Sequence, residues 1–135
     1  MNKILPFLLT VIWVGICACS YSQSTQEALL GKWQLVSSSG GITGKGFPIK
    51  KNAIIEFTAD YQYLSFEQDS LEQKSTYYLT KSLSKYRKKD SLNILLIGYG
   101  DFKKYELYIT KTRLILREPY TDGFTRVYIR ELKKK

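Results

Sequence analysis

Eight short segments of this chain are rich in strand-forming residues, most of them alternating apolar with polar, and none carries an apolar stripe at helical spacing. They cover residues 32–38, 53–58, 61–67, 72–83, 92–97, 102–110, 113–118 and 124–132. Turn-forming pieces separate them, among them Ala59-Asp60, Gln68-Asp69-Ser70, Gly98-Tyr99-Gly100-Asp101 and Lys111-Thr112. Side chains two apart share one face of an extended strand, so each alternating segment has one face to bury. Eight such segments at hairpin spacing predict an all-β fold, a barrel or a sandwich.

The first segment narrows the choice. Gly31-Lys32-Trp33-Gln34-Leu35 holds the only tryptophan outside the N-terminal apolar run, and Trp33 and Leu35 share a face. We read it as the opening strand of a small antiparallel up-and-down barrel spanning residues 31–132. Eight strands close around a space just large enough for side chains or one small ligand. The candidate inward residues Trp33, Phe57, Tyr63, Leu79, Tyr105 and Leu107 are bulky, which predicts a mostly filled barrel with one open end. The glycine-rich piece Gly40-Gly41-Ile42-Thr43-Gly44-Lys45-Gly46 lacks the Lys-Ser/Thr ending of a phosphate loop, and no helix-forming run follows it. It reads as a loop at one mouth of the barrel.

Composition removes much of the usual catalytic equipment. There is no histidine, which rules out His-dependent triads, imidazole bases and most zinc sites. Both cysteines, Cys17 and Cys19, precede the barrel, so the body has no disulfide and no thiol nucleophile. The acids Asp60, Glu67, Asp69 and Glu72 fall near hairpin turns, where acids commonly serve the turn itself. No metal-loop pattern is present, and no cofactor is expected. The chain reads as a non-enzyme.

The N-terminus reads as an export signal, with Lys3 ahead of an apolar run from Ile4 to Ala18 that is too short for a membrane span. Two processing readings follow. Ile16-Cys17-Ala18-Cys19 resembles a bacterial lipobox, in which cleavage after residue 18 leaves a lipidated Cys19. Small residues at Ser20 and Ser22 instead fit ordinary cleavage after residue 22. The lipoprotein reading is preferred, since the cysteine follows a small residue at the end of the run. Residues 23–30 form a tether and lead-in, with a short helical turn over Gln26–Leu30. The expected place is the bacterial cell envelope, as an outer-membrane lipoprotein ahead of a soluble periplasmic or secreted protein, with no span in the mature chain.

The full chain carries 21 basic and 12 acidic residues, a net charge of +9. Loss of Lys3 with the signal brings the mature balance to about +8. The charge gathers in Lys81, Lys85, Arg87, Lys88 and Lys89, in Lys103-Lys104, and in the tail 133–135. At loop and edge positions such charge aids solubility and blocks edge pairing. It also makes an anionic envelope surface a possible partner. No nucleic-acid motif accompanies it, and nucleic acid is not expected.

A family resemblance rests on several pieces together. Leu30-Gly31-Lys32-Trp33-Gln34-Leu35-Val36 resembles the first strand of the lipocalin and fatty-acid-binding protein superfamily, which carries Gly-x-Trp. With Gly40-Gly41-Ile42, Ile54-Ile55-Glu56-Phe57-Thr58 and Asp122-Gly123-Phe124-Thr125 followed by Tyr128 and Arg130, the chain is similar to small lipocalin-like proteins exported by Bacteroidetes. One departure is Ala59-Asp60-Tyr61, where Asp-Gly would be expected. The resemblance implies a fold and a compartment.

It also implies two different tasks for the last strand. In fatty-acid-binding proteins an Arg-x-Tyr holds a ligand carboxylate inside the barrel, and Arg126-Val127-Tyr128 matches that pattern. In lipocalins an arginine of the final strand stacks on the first-strand tryptophan, which here assigns Arg130 to Trp33 and makes Gly31, Trp33 and Arg130 the barrel-closing set. Alternation places Phe124, Arg126, Tyr128 and Arg130 on one side and Thr125, Val127 and Ile129 on the other. The second set is the more apolar, so by apolarity alone Arg126 faces solvent. The residues between Ser38 and Asn52 leave no room for the helical lid of the fatty-acid-binding proteins, which favours the lipocalin-like side.

The expected function is therefore an exported lipocalin-like protein that binds a small apolar or amphipathic molecule at its open end. The candidate contacts are Phe57, Tyr63, Tyr105, Arg126 and Tyr128. The competing expectation is a filled barrel whose basic exterior binds anionic envelope components or a protein partner.

Overall fold

In a computed structural model of the chain, residues 25–49, 52–83 and 91–132 are described. The signal segment with Cys19, the cluster Lys85–Lys89 and the tail 133–135 lie outside them. Among the described residues no helix is long and apolar enough to cross a membrane.

One hairpin after another closes into a ring. The strands are β1 (Gly31–Ser39), β2 (Ala53–Phe57), β3 (Gln62–Glu67), β4 (Ser70–Leu83), β5 (Ser91–Ile97), β6 (Lys103–Ile109), β7 (Arg113–Arg117) and β8 (Thr125–Arg130). Each pairs antiparallel with the next, and β8 pairs with β1, giving a closed eight-stranded up-and-down barrel. The fold expected from the alternation is the fold observed. The lead-in is a single helical turn at residues 25–29, closed by Leu30 N–H donating to the Gln26 carbonyl at 3.1 Å.

Two turns show how local sequence sets the hairpins. Between β3 and β4, Gln68 and Asp69 both take positive φ (50° and 65°), the geometry of a two-residue turn whose twist matches the strands. Between β2 and β3, Tyr61 occupies the left-handed position (φ 61°) that a glycine would fill more cheaply. Its ring packs at 5.4 Å on Tyr77 and its hydroxyl donates to Gln26 Oε1 at 3.0 Å. Those contacts hold an unfavourable backbone in place, and they tie this turn to the lead-in.

The core is one cluster. It contains Leu29, Trp33, Phe57, Tyr77, Leu95, Tyr105, Leu107, Leu114 and Tyr128, with Tyr63 and Leu79 packed against it. All six residues expected to point inward do so. At the end where β1 starts and β8 finishes the interior is filled: Trp33 is fully buried, and Phe57 meets Tyr77 edge-on at 5.1 Å.

Register shifts interrupt the alternation twice. Along β1–β8, Leu35 pairs with Tyr128 but Ser37 with Val127, so Val36 is passed over and Ser38 comes opposite Arg126. Along β3–β4, Ser65 pairs with Gln73 but Phe66 with Leu71, leaving Glu72 as the extra residue. Such bulges sharpen twist and re-aim the side chains beyond them. Both lie toward the end where β1 finishes, and the interior is not filled there.

Candidate functional site

Above the packed end lies an interior cavity of about 250 Å³. Leu35, Ile55, Ile97 and Leu116 form apolar wall, and Tyr63, Tyr105, Tyr128 and Arg126 bring polar atoms into it. Gln73 and Lys103, both exposed, stand at its rim, so the cavity meets solvent there.

The last strand corrects an expectation. Apolarity placed Val127 and Ile129 inside and Arg126 in solvent; instead Tyr128 is buried, Ile129 is 45% exposed, and Arg126 lines the cavity. The register explains it. Arg130 lies opposite Trp33, whose side chain fills the core, and alternation from Arg130 carries Tyr128 and Arg126 to the same face. An interior of tyrosine hydroxyls and a bulge has room for a guanidinium that a purely aliphatic core would exclude.

Of the five expected ligand contacts, Tyr63, Tyr105, Arg126 and Tyr128 converge on this cavity. Phe57 does not line it. Only 1% exposed, it packs below, 5.5 Å from the Tyr63 ring and 5.1 Å from that of Tyr77. It supports the floor.

The polar groups of the cavity form a defined electrostatic set. Arg126 lies 5.7 Å over the Phe124 ring and has Nη1 3.6 Å from Glu118 Oε1, and its charge acts on the Tyr105 hydroxyl. Burial pushes the Tyr63 hydroxyl up to about 12, with the neighbouring Tyr105 adding to the shift and Ser65 and Arg126 opposing it. Burial likewise raises Tyr105 and Tyr128 above the ordinary phenol value, against a lowering pull from Arg126. All three phenols therefore stay protonated at neutral pH. They can donate and accept hydrogen bonds, but none is poised as a general base.

This gives a pH prediction. A phenol whose folded pKa exceeds its unfolded value holds its proton longer when folded, so stability is full below about pH 10 and falls as pH rises further. For Tyr63 the loss is expected to reach about 2–3 kcal/mol by pH 12. Urea titrations at pH 8 to 12 should show a shallower alkaline decline for Tyr63→Phe than for the wild type. Parallel declines would remove Tyr63 from the account.

Two loops frame the rim beside Arg126. Phe47 and Phe124 meet at 5.3 Å between ring centroids, and Gly41 N–H donates to the Asp122 carbonyl at 3.1 Å. Gly40 sits so close to the β7–β8 loop that a Cβ there would lie 2.7 Å from the Gly123 carbonyl oxygen. Only glycine lets the two loops touch. The glycine-rich loop is thus at the mouth, as expected.

At the opposite end the barrel-closing set is assembled. The Arg130 guanidinium lies 4.1 Å from the Trp33 ring centroid. It donates to the carbonyls of Lys111 (2.9 Å), Leu30 (2.8 Å) and Ala28. Trp33 Nε1–H donates to Leu29 O at 2.8 Å. Gly31 has φ 109°, a backbone few other residues adopt, and Arg130 Nη1 lies beside it. One residue the sequence reading passed over is Glu118, whose partner Arg126 is known only once β7 and β8 are paired.

Among the described residues no group of His, Cys, Asp or Glu is placed to hold a metal ion. Comparison with protein-family models, with curated proteins and with solved structures finds no match to this chain.

Proposed function

We propose that this chain is an exported, non-enzymatic, lipocalin-like envelope protein whose barrel holds one small amphipathic molecule. The observation that carries the reading is the interior cavity, with aliphatic walls, the Arg126 guanidinium and three protonated phenols inside, and Lys103 at its rim. Binding pockets of this design are mostly apolar with a few convergent polar groups that fix orientation. The apolar part of the ligand lies against Leu35, Ile97 and Leu116, and its polar end lies at Arg126, Tyr105 and Tyr128.

Size limits the occupant. At about 250 Å³ the cavity lies below the usual range for drug-sized ligands, so the part of a ligand it encloses is small. The protonation states support binding over catalysis, since burial keeps the three cavity phenols protonated at neutral pH.

Native mass spectrometry of the protein purified from its own host, followed by calorimetry with a panel of small amphiphiles, tests the reading. We expect one molecule per chain, and a dissociation constant about 10–100-fold weaker in Arg126→Met, as for loss of a hydrogen bond from a charged donor. A protein that retains nothing and binds no member of the panel overturns the proposal.

A further inference from the structure

One ion pair separates the interior cavity from a larger depression on the outside of the barrel. The outer depression, about 510 Å³, is lined by Leu92 and Ile94 of β5, Lys104 of β6, Arg117 of β7, and Glu118 and Tyr120 beyond it. Arg126 lines the inner space and Glu118 the outer one. We infer that Glu118 is an exchangeable internal counter-ion of Arg126 and sets the charge selectivity of the interior site. The inference rests on the ligand-binding reading above and specifies which molecules the site accepts.

Four features make the carboxylate exchangeable. The 3.6 Å separation exceeds the 2.7–2.9 Å of a strong charge-assisted hydrogen bond, and the two side chains are 32% and 24% exposed. A pair held this loosely and partly open to solvent leaves the guanidinium free to engage another acceptor. Glu118 has a second anchor, because Oε2 accepts the Phe124 N–H at 3.1 Å and its own N–H donates to the Phe124 carbonyl at 2.9 Å. Letting go of Arg126 therefore leaves the loop attached.

Arg126 also has a second hold, over the Phe124 ring. Its guanidinium carries five donors in a fixed fork, more than one loosely held carboxylate can use. Finally, Lys104 and Arg117 line the outer depression together with the acids Glu106 and Asp122, so a carboxylate turning outward meets alternative cations in mixed charged surroundings. The same acid has a cation on either side.

The consequence is that the charge of the Arg126 guanidinium is already balanced inside, while Lys103 stays at the rim. A ligand carboxylate must compete for Arg126 with a carboxylate tethered beside it at high effective concentration. A neutral amphiphile of the same shape meets no such competition. The wild-type barrel thus favours small neutral molecules, an amide or an alcohol, over the corresponding acids.

Benzoate and benzamide, equal in size and different in charge, are the probes, titrated calorimetrically into the wild type and Glu118→Gln. Glutamine keeps an acceptor for the Phe124 N–H. We expect benzamide to bind the wild type at least as well as benzoate, and Glu118→Gln to tighten benzoate at least tenfold while moving benzamide less than threefold. Glu118→Ala must shift benzoate in the same direction, which guards against a folding defect peculiar to one variant. Binding of both probes with an unchanged ratio in both variants overturns the counter-ion and leaves the interior site standing. Failure of both probes in all three proteins overturns the interior site itself.

Discussion

Trp33→Ala is expected to lower the free energy of unfolding by about 3–5 kcal/mol, as for other large aromatic truncations in packed cores. Trp33 is the largest of the fully buried side chains, at 0% exposure. Its removal would leave a void in the filled end, where neighbouring strands hold the wall apart and prevent collapse. The loss extends beyond volume. The Leu29 carbonyl would lose the indole N–H that reaches it at 2.8 Å, and the lead-in turn would lose its anchor. Denaturant midpoints at constant slope measure the effect. A loss below about 1 kcal/mol would show that the indole does not plug the barrel.

The second large effect is expected at Arg130. Arg130→Met should cost about 2–4 kcal/mol, since each hydrogen bond to a carbonyl is worth roughly 1 kcal/mol net and the stack on an aromatic ring adds a similar amount. The guanidinium draws together three pieces of chain: Ala28 and Leu30 of the lead-in, Lys111 of the β6–β7 turn, and the Trp33 ring. Arg130→Lys should recover less than half, because the ammonium's three donors radiate from a single nitrogen and cannot span carbonyls that Nε, Nη1 and Nη2 of the planar guanidinium reach separately. Since Trp33 and Arg130 touch, the double variant should lose less than the two single losses added together. Strict additivity would mean that the stack contributes nothing.

The architecture was legible because strand alternation and turn chemistry are local. The eight segments lie within a few residues of the observed strands, and Trp33 and Arg130 meet as the resemblance implied. The upper half of the barrel was harder to read for a physical reason. Apolarity marks the buried face only where the interior is apolar, and around Arg126 the inner wall is tyrosine and guanidinium while Ile129 is 45% exposed.

Alternation, unlike apolarity, gives the right face: with Arg130 on the ring of Trp33, residues 126 and 128 share its side of β8. The bulges at Val36 and Glu72 were not readable, because nothing in those residue types marks an extra residue in a ladder. Glu118 was missed for a similar reason. Its role depends on a pairing eight residues away in sequence and on a cavity that exists only after closure.

Ring closure has a consequence for how this chain folds. Seven of the eight strand pairings join sequence neighbours and are local hairpins. The eighth, β1 with β8, links residues near 33 to residues near 130. For a separation of roughly one hundred residues, ends meet at an entropic cost of about 4 kcal/mol. Until they meet, the curled sheet has two bare edges, each a row of unpaired amides and carbonyls able to capture a strand from another molecule. The Trp33–Arg130 stack lies at that seam, and its formation turns an open, self-associating ribbon into an edgeless ring. Weakening the seam would therefore be felt first as aggregation during refolding, before any change in the finished barrel.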